Sequence, residues 1–185
     1  SHFPSFYQIS RMYPIVLLTD FGLKDGFVGV MKGVIADIAP GQPVIDLTHD
    51  LPPQDLDAAR FVLWNSFRHF PQDTLFVCVV DPGVGSKRDI LLLETDHYRF
   101  LAPDNGLLDY IMAEVPVRQL FRVDNPKLFK EPVSTTFHGR DIFSPVAARL
   151  ARGFPATQVG PLLDYRLPAS PFIAITENPE CEGCI

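Results

Sequence analysis

Residues 74–80, TLFVCVV, form an unbroken apolar run that passes directly into a glycine-rich polar stretch, DPGVGSKR, at 81–88. A strand covered on both faces accepts such a run without alternation, and parallel strands of α/β sheets are covered in that way. Upstream, PIVLLT (14–19) has the same character and also stops at an aspartate, in TDFG, while PVIDL (43–47) supplies a further strand. Between these strands the period changes. In GFVGVMKGVIADI the residues Phe27, Val30, Met31, Val34, Ile35 and Ile38 fall three and four apart and predict one apolar helix face. Pro40 and Gly41 stop that helix.

A second helix is expected over Asp55–His69, with Leu56, Ala59, Leu63 and Phe67 facing inward. ILLLET and YRFLA, separated by Asp96 and His97, predict a hairpin. NGLLDYIMAEV predicts a third helix, VRQLFRV another strand, and Asp141–Arg152 a fourth helix closed by Gly153. Strands alternating with helices predict an α/β fold, a three-layer α/β/α arrangement around a mostly parallel central sheet. From Pro155 the pattern fades. One domain is therefore expected over residues 14–165, with a leader or tag-like segment at 1–13 and a C-terminal extension or truncated linker at 166–185.

Composition narrows the function classes. The 185 residues are 46% apolar and 21% charged, an ordinary globular balance that excludes wholesale disorder. No run approaches the roughly 18 to 20 apolar residues that a membrane span needs, and the N-terminus lacks a basic stretch followed by an apolar core, so no membrane partner or signal peptide is expected. The net charge of −6, with its bases dispersed, makes nucleic acid a poor partner. Three cysteines cannot build a multi-bridge framework, which points to a reducing, cytoplasmic setting. Cys181 and Cys184, in CEGC, are half of a zinc site and are read as free thiols near the chain end.

Ligands of open parallel sheets bind outside the carboxyl ends of the strands. That edge would gather Asp20, Asp46, Asp50 and Asp81, with His49 beside them, although each aspartate taken singly could equally cap a helix or a turn. DPGVGSKR fits neither a Walker phosphate loop, because Lys87 is not followed by Ser or Thr, nor a dinucleotide fingerprint. It does set Asp81 at a strand end and Arg88 across the loop, where a guanidinium would keep the carboxylate ionised and oriented. In TTFHGRDIFSP (135–145), His138 lies in a polar, glycine-bearing loop rather than on an apolar stripe. An imidazole there can accept or relay a proton near neutral pH. Asp141 can favour the N-terminus of the helix that follows.

Five segments, LLTDFGLKDGFVGVMKGVI, VIDLTHDLPPQDLDAARFVL, FVCVVDPGVGSKR, YRFLAPDNGLL and TFHGRDIFSPVAARLARG, resemble in order those of the S-adenosylmethionine hydroxide adenosyltransferase family, whose relatives include fluorinating and chlorinating enzymes. The resemblance implies a catalytic triad at Asp81, Arg88 and His138. It implies that Asp20 grips the ribose hydroxyls, and that Phe21, Gln54, Thr136, Phe137 and Gly139 complete the substrate site. In the halogenases a serine at the position of Gly139 helps hold the halide, and an aromatic residue stands where Asp81 and His138 stand. Glycine and the full triad point to water as the nucleophile. The implied reaction is hydrolysis of S-adenosyl-L-methionine to adenosine and L-methionine, with no cofactor and no metal, in a homotrimer. The family's C-terminal β-barrel domain has no visible counterpart in the tail ENPECEGCI, so it is expected to be missing. Two other readings stay open: a vestigial nucleoside-binding domain, and a metal-dependent nucleoside or phosphate hydrolase using the aspartates of TDFGLKD, since oxygen-rich sites suit hard cations.

Overall fold

The computed structural model describes residues 12–82 and 88–165. Most of the leader, the C-terminal extension with Cys181 and Cys184, and residues 83–87 of the glycine-rich loop lie outside the described residues. The elements follow the order β1 (Ile15–Thr19), α1 (Phe27–Ile38), β2 (Val44–Thr48), α2 (Leu56–Ser66), β3 (Leu75–Val79), β4 (Ile90–Thr95), β5 (Arg99–Pro103), α3 (Asp109–Glu114), β6 (Val117–Arg122) and α4 (Ser144–Ala151). The six strands form one mixed sheet in the order β2-β1-β3-β5-β4-β6. Strands β1, β2, β3 and β5 are mutually parallel; β4 alone runs the other way, joined to β5 by the expected hairpin and to β6 on its far side.

Every residue of β1 and β3 is buried. Their alternate side chains feed two cores. Ile15, Leu17, Leu75 and Val77 pack with Met31 and Ile35 of α1 and Val146 and Leu150 of α4. Val16, Leu18, Phe76 and Cys78 pack with Ala59 and Leu63 of α2 and Ile111 of α3. The result is the expected three-layer arrangement, and it explains why these strands could not alternate apolar with polar residues. Burial pushes the Cys78 thiol well up from its ordinary pKa, which keeps it an inert core residue. The second core holds an aromatic cluster: Phe76 and Phe100 stack with centroids 5.1 Å apart, and Phe67 meets Phe100 edge-on at 5.9 Å.

Several elements differ from expectation for identifiable reasons. Helix α1 turns Val28, Met31, Val34 and Ile35 inward, whereas Phe27 and Val30 stay 42% and 46% exposed. Phe27 instead stacks on Phe137 at 5.2 Å, across from the loop that precedes α4. Helix α2 ends at Ser66 and tightens into a single 3₁₀ turn, Phe67–His69. Its N-terminus is capped by Asp55, whose carboxylate accepts the Ala58 N–H at 2.9 Å. Helix α3 is shorter than predicted because the chain first turns at Gly106 (φ +85°), a conformation glycine adopts without steric cost. Past Pro155 the chain packs along β6: the Leu163 N–H donates to the Leu120 carbonyl at 2.7 Å and covers the open edge of that strand.

Helix α4 does not begin at Asp141. A wide π-type turn, Gly139–Phe143, precedes it, an irregularity often found at functional sites. Asp141 is buried within that turn. Its carboxylate accepts two hydrogen bonds from Arg140, at 2.6 and 3.0 Å, and one from the Ser134 N–H at 2.9 Å. The expected role at the helix N-terminus is therefore replaced by a clamp on the incoming loop. The Arg140 hydrogen bond is the chief reason that the Asp141 carboxyl lies below the ordinary carboxylate range.

Two outcomes follow. Phe76→Ala should destabilise the domain by about 3–5 kcal/mol in a urea melt, because it leaves a cavity in the aromatic cluster, whereas Phe61→Ala on the exposed face of α2 should change it by less than about 1 kcal/mol. Asp141→Asn should lower stability at about pH 7 and lose that effect as pH falls below about 4. The sign follows from the depressed carboxyl: its contribution is present above the unfolded pKa and disappears as the folded group takes up its proton. Paired melts of the two proteins across that range check this, and a stability difference that does not shrink in acid would contradict it.

Candidate active site

The strand order reverses between β1 and β3: β2 lies beyond one and β5 beyond the other. Loops leaving the two carboxyl ends therefore part in opposite directions and open a crevice. A cleft of about 230 Å³ occupies that position. Asp20 and Phe21, just past β1, line one wall, and Asp81, just past β3, lines another with Arg88 and Asp89. Gln54 comes from the loop before α2, and Thr136, His138 and Gly139 from the turn before α4. Of the nine expected site residues, only Phe137 does not border this cleft. It lines an adjoining apolar hollow of about 360 Å³ with Phe21, Phe27, Val30 and Met31.

Each wall is fixed by identifiable contacts. Arg88 Nε lies 3.0 Å from Asp81 Oδ1, with the two side chains 36% and 20% exposed. The pair is thus open to the cleft on one side. Asp20 Oδ2 accepts the Gln54 backbone N–H at 2.7 Å. Gln54 takes a left-handed backbone conformation (φ 64°), uncommon for a residue with a side chain, and this strained position is tied to the Asp20 carboxylate. On the third wall, the Ser134 hydroxyl oxygen accepts the Phe137 N–H at 2.7 Å, and Arg140 lies over the Phe137 ring at 4.9 Å. A Cβ at Gly139 would sit 3.1 Å from Met31 Sδ and 3.3 Å from Phe21 Cε2, so this wall is shaped around a residue without a side chain.

The rim does not gather all four aspartates. Asp46 faces α1 and is bound by Lys32 Nζ at 2.6 Å and by His49 Nε2 at 2.8 Å. Burial works to raise its pKa, but the hydrogen bonds from Lys32 and His49 outweigh that effect and hold it below the usual value. His49 is buried, with Nδ1 2.7 Å from the Thr19 hydroxyl. Because an ionised Asp46 can only accept, Nε2 donates to it. Asp50 is exposed and does not border the cleft. The Asp46–His49 pair instead supports the end of β1 from beneath: the His49 carbonyl accepts the Gly22 N–H at 2.7 Å, two residues past Asp20.

Sequence reasoning passed over Asp89, Pro103 and Thr135, which also line the cleft. The available signal was position: Asp89 adjoins Arg88, Thr135 adjoins Thr136, and Pro103 ends a parallel strand at the same edge. Among the described residues, no group of three or more His, Cys, Asp or Glu converges as a metal site would. Nor is any described helix long and apolar enough to cross a membrane.

The chemistry of this cleft can be set beside known proteins. Residues 15–160 match the SAM hydroxide adenosyltransferase N-terminal domain family. The chain is 39% identical over 178 residues to an (R)-S-adenosyl-L-methionine hydrolase of Thermus thermophilus, covering 92% of this chain and 69% of that one. It is 41% identical over 174 residues to the protein of the same name from Salinispora arenicola, covering 91% and 64%. An uncharacterized conserved protein from Thermotoga maritima has a similar structure, with a TM-score of 0.79 and 43% identity over 84% of this chain and 61% of that one. The chain thus spans 61–69% of the length of these three relatives. With the match running from the start of β1 past α4, over every loop that lines the cleft, the chain belongs to the SAM hydroxide adenosyltransferase family through its N-terminal domain.

Proposed function

We propose that this domain hydrolyses S-adenosyl-L-methionine to adenosine and L-methionine by attack of water or hydroxide at the ribose C5′. The observation that carries the proposal is the Asp81–Arg88 ion pair, 3.0 Å long, on the wall of the cleft that His138 also lines. The relatives named as hydrolases of this substrate support it.

The substrate explains why such a site suffices. Its sulfur is a sulfonium, so as the new O–C5′ bond forms, the C5′–S pair returns to sulfur and methionine leaves as a neutral thioether. That departure needs no general acid. The difficulty lies with water, a weak nucleophile that must be held in line behind the carbon; such positioning is worth on the order of 7 kcal/mol or more. Arg88 orients Asp81 and adds positive potential that favours hydroxide. His138 holds the water or takes the proton it gives up. Asp20, whose carboxylate is already aimed by the Gln54 N–H, accepts hydrogen bonds from the ribose hydroxyls. Phe21 and Thr136 line the same cleft, and Phe137 lines the apolar hollow beside it, so these side chains bound the substrate site on its less polar side. Gly139 leaves no side chain to bind a halide, in keeping with water as the attacking group. No step requires a metal or a redox cofactor. A homotrimer acting in the cytoplasm is the assembly and setting that go with this function, and light scattering on the purified chain reads the first.

Incubation with S-adenosylmethionine in ¹⁸O-water should place the label in the 5′-hydroxyl of adenosine, with or without a chelator. Adenosine bound but never formed would favour a vestigial binding domain, and release that stops with chelator would favour a metal-dependent hydrolase. Asp81→Asn and His138→Ala should each lower the single-turnover rate by about 100-fold. Asp20→Ala should chiefly raise KM, since ribose contacts are made equally in the ground and transition states. Full rates in either triad variant would remove that residue from the mechanism.

A further inference from the structure

Within the proposed hydrolase, we infer that Asn105 is a positioning residue, a brace that fixes the strand end carrying Asp81 relative to Arg88. Its side-chain amide donates from Nδ2 to the Val80 carbonyl at 2.8 Å, and its Oδ1 accepts the Leu107 N–H at 3.1 Å. Val80 immediately precedes Asp81. It also lies beyond the last residue of β3 paired with β1 (Val79) and the last paired with β5 (Val77), so sheet pairing has ended on both sides by this point. The Asn105 amide extends the ladder by one bond, made by a side chain.

The same turn holds the other end of the loop. The Asp104 N–H donates to the Asp89 carbonyl at 2.8 Å, next to Arg88. Two consecutive residues after β5 therefore grip the chain just before Asp81 and just after Arg88. The turn is in turn tied to α2, where Arg60 Nε donates to the Gly106 carbonyl at 2.8 Å. A Cβ at Gly106 would lie 2.5 Å from Arg60 Nη2, so the turn and the guanidinium are fitted closely to each other. The Arg88 Nε–Asp81 Oδ1 contact tolerates little movement of either strand end, and sites of this kind depend on neighbours that lock their geometry.

A second asparagine provides the control. Asn125 makes the same two bonds, Nδ2 to the Gln158 carbonyl at 2.8 Å and Oδ1 from the Lys127 N–H at 3.1 Å, but neither partner adjoins Asp81 or Arg88. Asn105→Asp keeps the acceptor and the shape while replacing the donor with an oxygen that faces a carbonyl. It should lower the single-turnover rate at saturating S-adenosylmethionine by about 30- to 100-fold, as a displacement near 1 Å can do, with KM changed less than about 3-fold. Asn125→Asp should leave both unchanged. If Asn105→Asp fails to fold, Asn105→Ser, too short to reach Val80 and uncharged, should show the same split between rate and KM. An unchanged rate in a folded Asn105 variant, or an equal fall in Asn125→Asp, overturns the inference.

A readout independent of turnover separates this inference from the proposed activity. The Arg88 Nε–H resonance, assigned by its loss in Arg88→Lys, should exchange slowly in the parent chain, become fast in the Asn105 variant and stay slow in Asn125→Asp. If the parent chain forms no adenosine yet this pattern holds, the activity is wrong and the brace stands. If the resonance is indifferent to Asn105, the brace is wrong whatever the chain catalyses.

Discussion

Strands β1 and β3 are buried along their whole length, so neither can carry a charge until it leaves the sheet. Each then places an aspartate immediately beyond the buried stretch, Asp20 after Thr19 and Asp81 after Val80. Burying a carboxylate between two helical layers would cost several kcal/mol, and that penalty pins both groups to the sheet's carboxyl edge. Because the strand order reverses between these two strands, the same edge is where the connections part and a cleft can form. The position of the cleft is thus a consequence of the core, and the remaining walls are built against it.

Those walls are held mainly by hydrogen bonds from backbone N–H groups. Asp141 ties the turn before α4 to Ser134, Asp20 is met by the Gln54 N–H, and the His49 carbonyl steadies the chain two residues past Asp20. Such contacts fix rotamers and loop paths before any ligand arrives, which is what an in-line displacement demands of its site. The apolar hollow around Phe27 and Phe137 shares Phe21, Thr136 and Gly139 with the cleft that holds the Asp81–Arg88 pair. These three residues therefore border both a charged region and an apolar one.

The layers and the strand pattern were legible because fully apolar runs such as LFVCV admit few other placements, and the spacing of Ala59, Leu63 and Phe67 identified the inner face of α2. Where local periodicity misled, a tertiary contact had intervened. Phe27 and Val30 fit the helical stripe of α1, yet both stay partly exposed, and Phe27 turns to Phe137 instead. Asp46 and His49 have the residue types of a catalytic rim but point towards Lys32 and Thr19, because β2 is an edge strand and its polar side chains are satisfied by α1 and by the neighbouring strand. Spacing along a chain carries no information on such partners.

The sequence by itself determined the fold class, the edge of the sheet at which chemistry would gather, and, through five segments in register, the family. It could do so because burial and periodicity are properties of neighbours along the chain. The Asp81–Arg88 pair could be expected from the loop itself, but only the tertiary structure decided which more distant polar residues meet: that Gln54 turns its backbone towards Asp20, and that Asn105, 25 residues downstream, takes up the Val80 carbonyl. Each of these is a hydrogen bond between groups far apart in sequence, and its geometry exists only after the two cores have closed around the sheet.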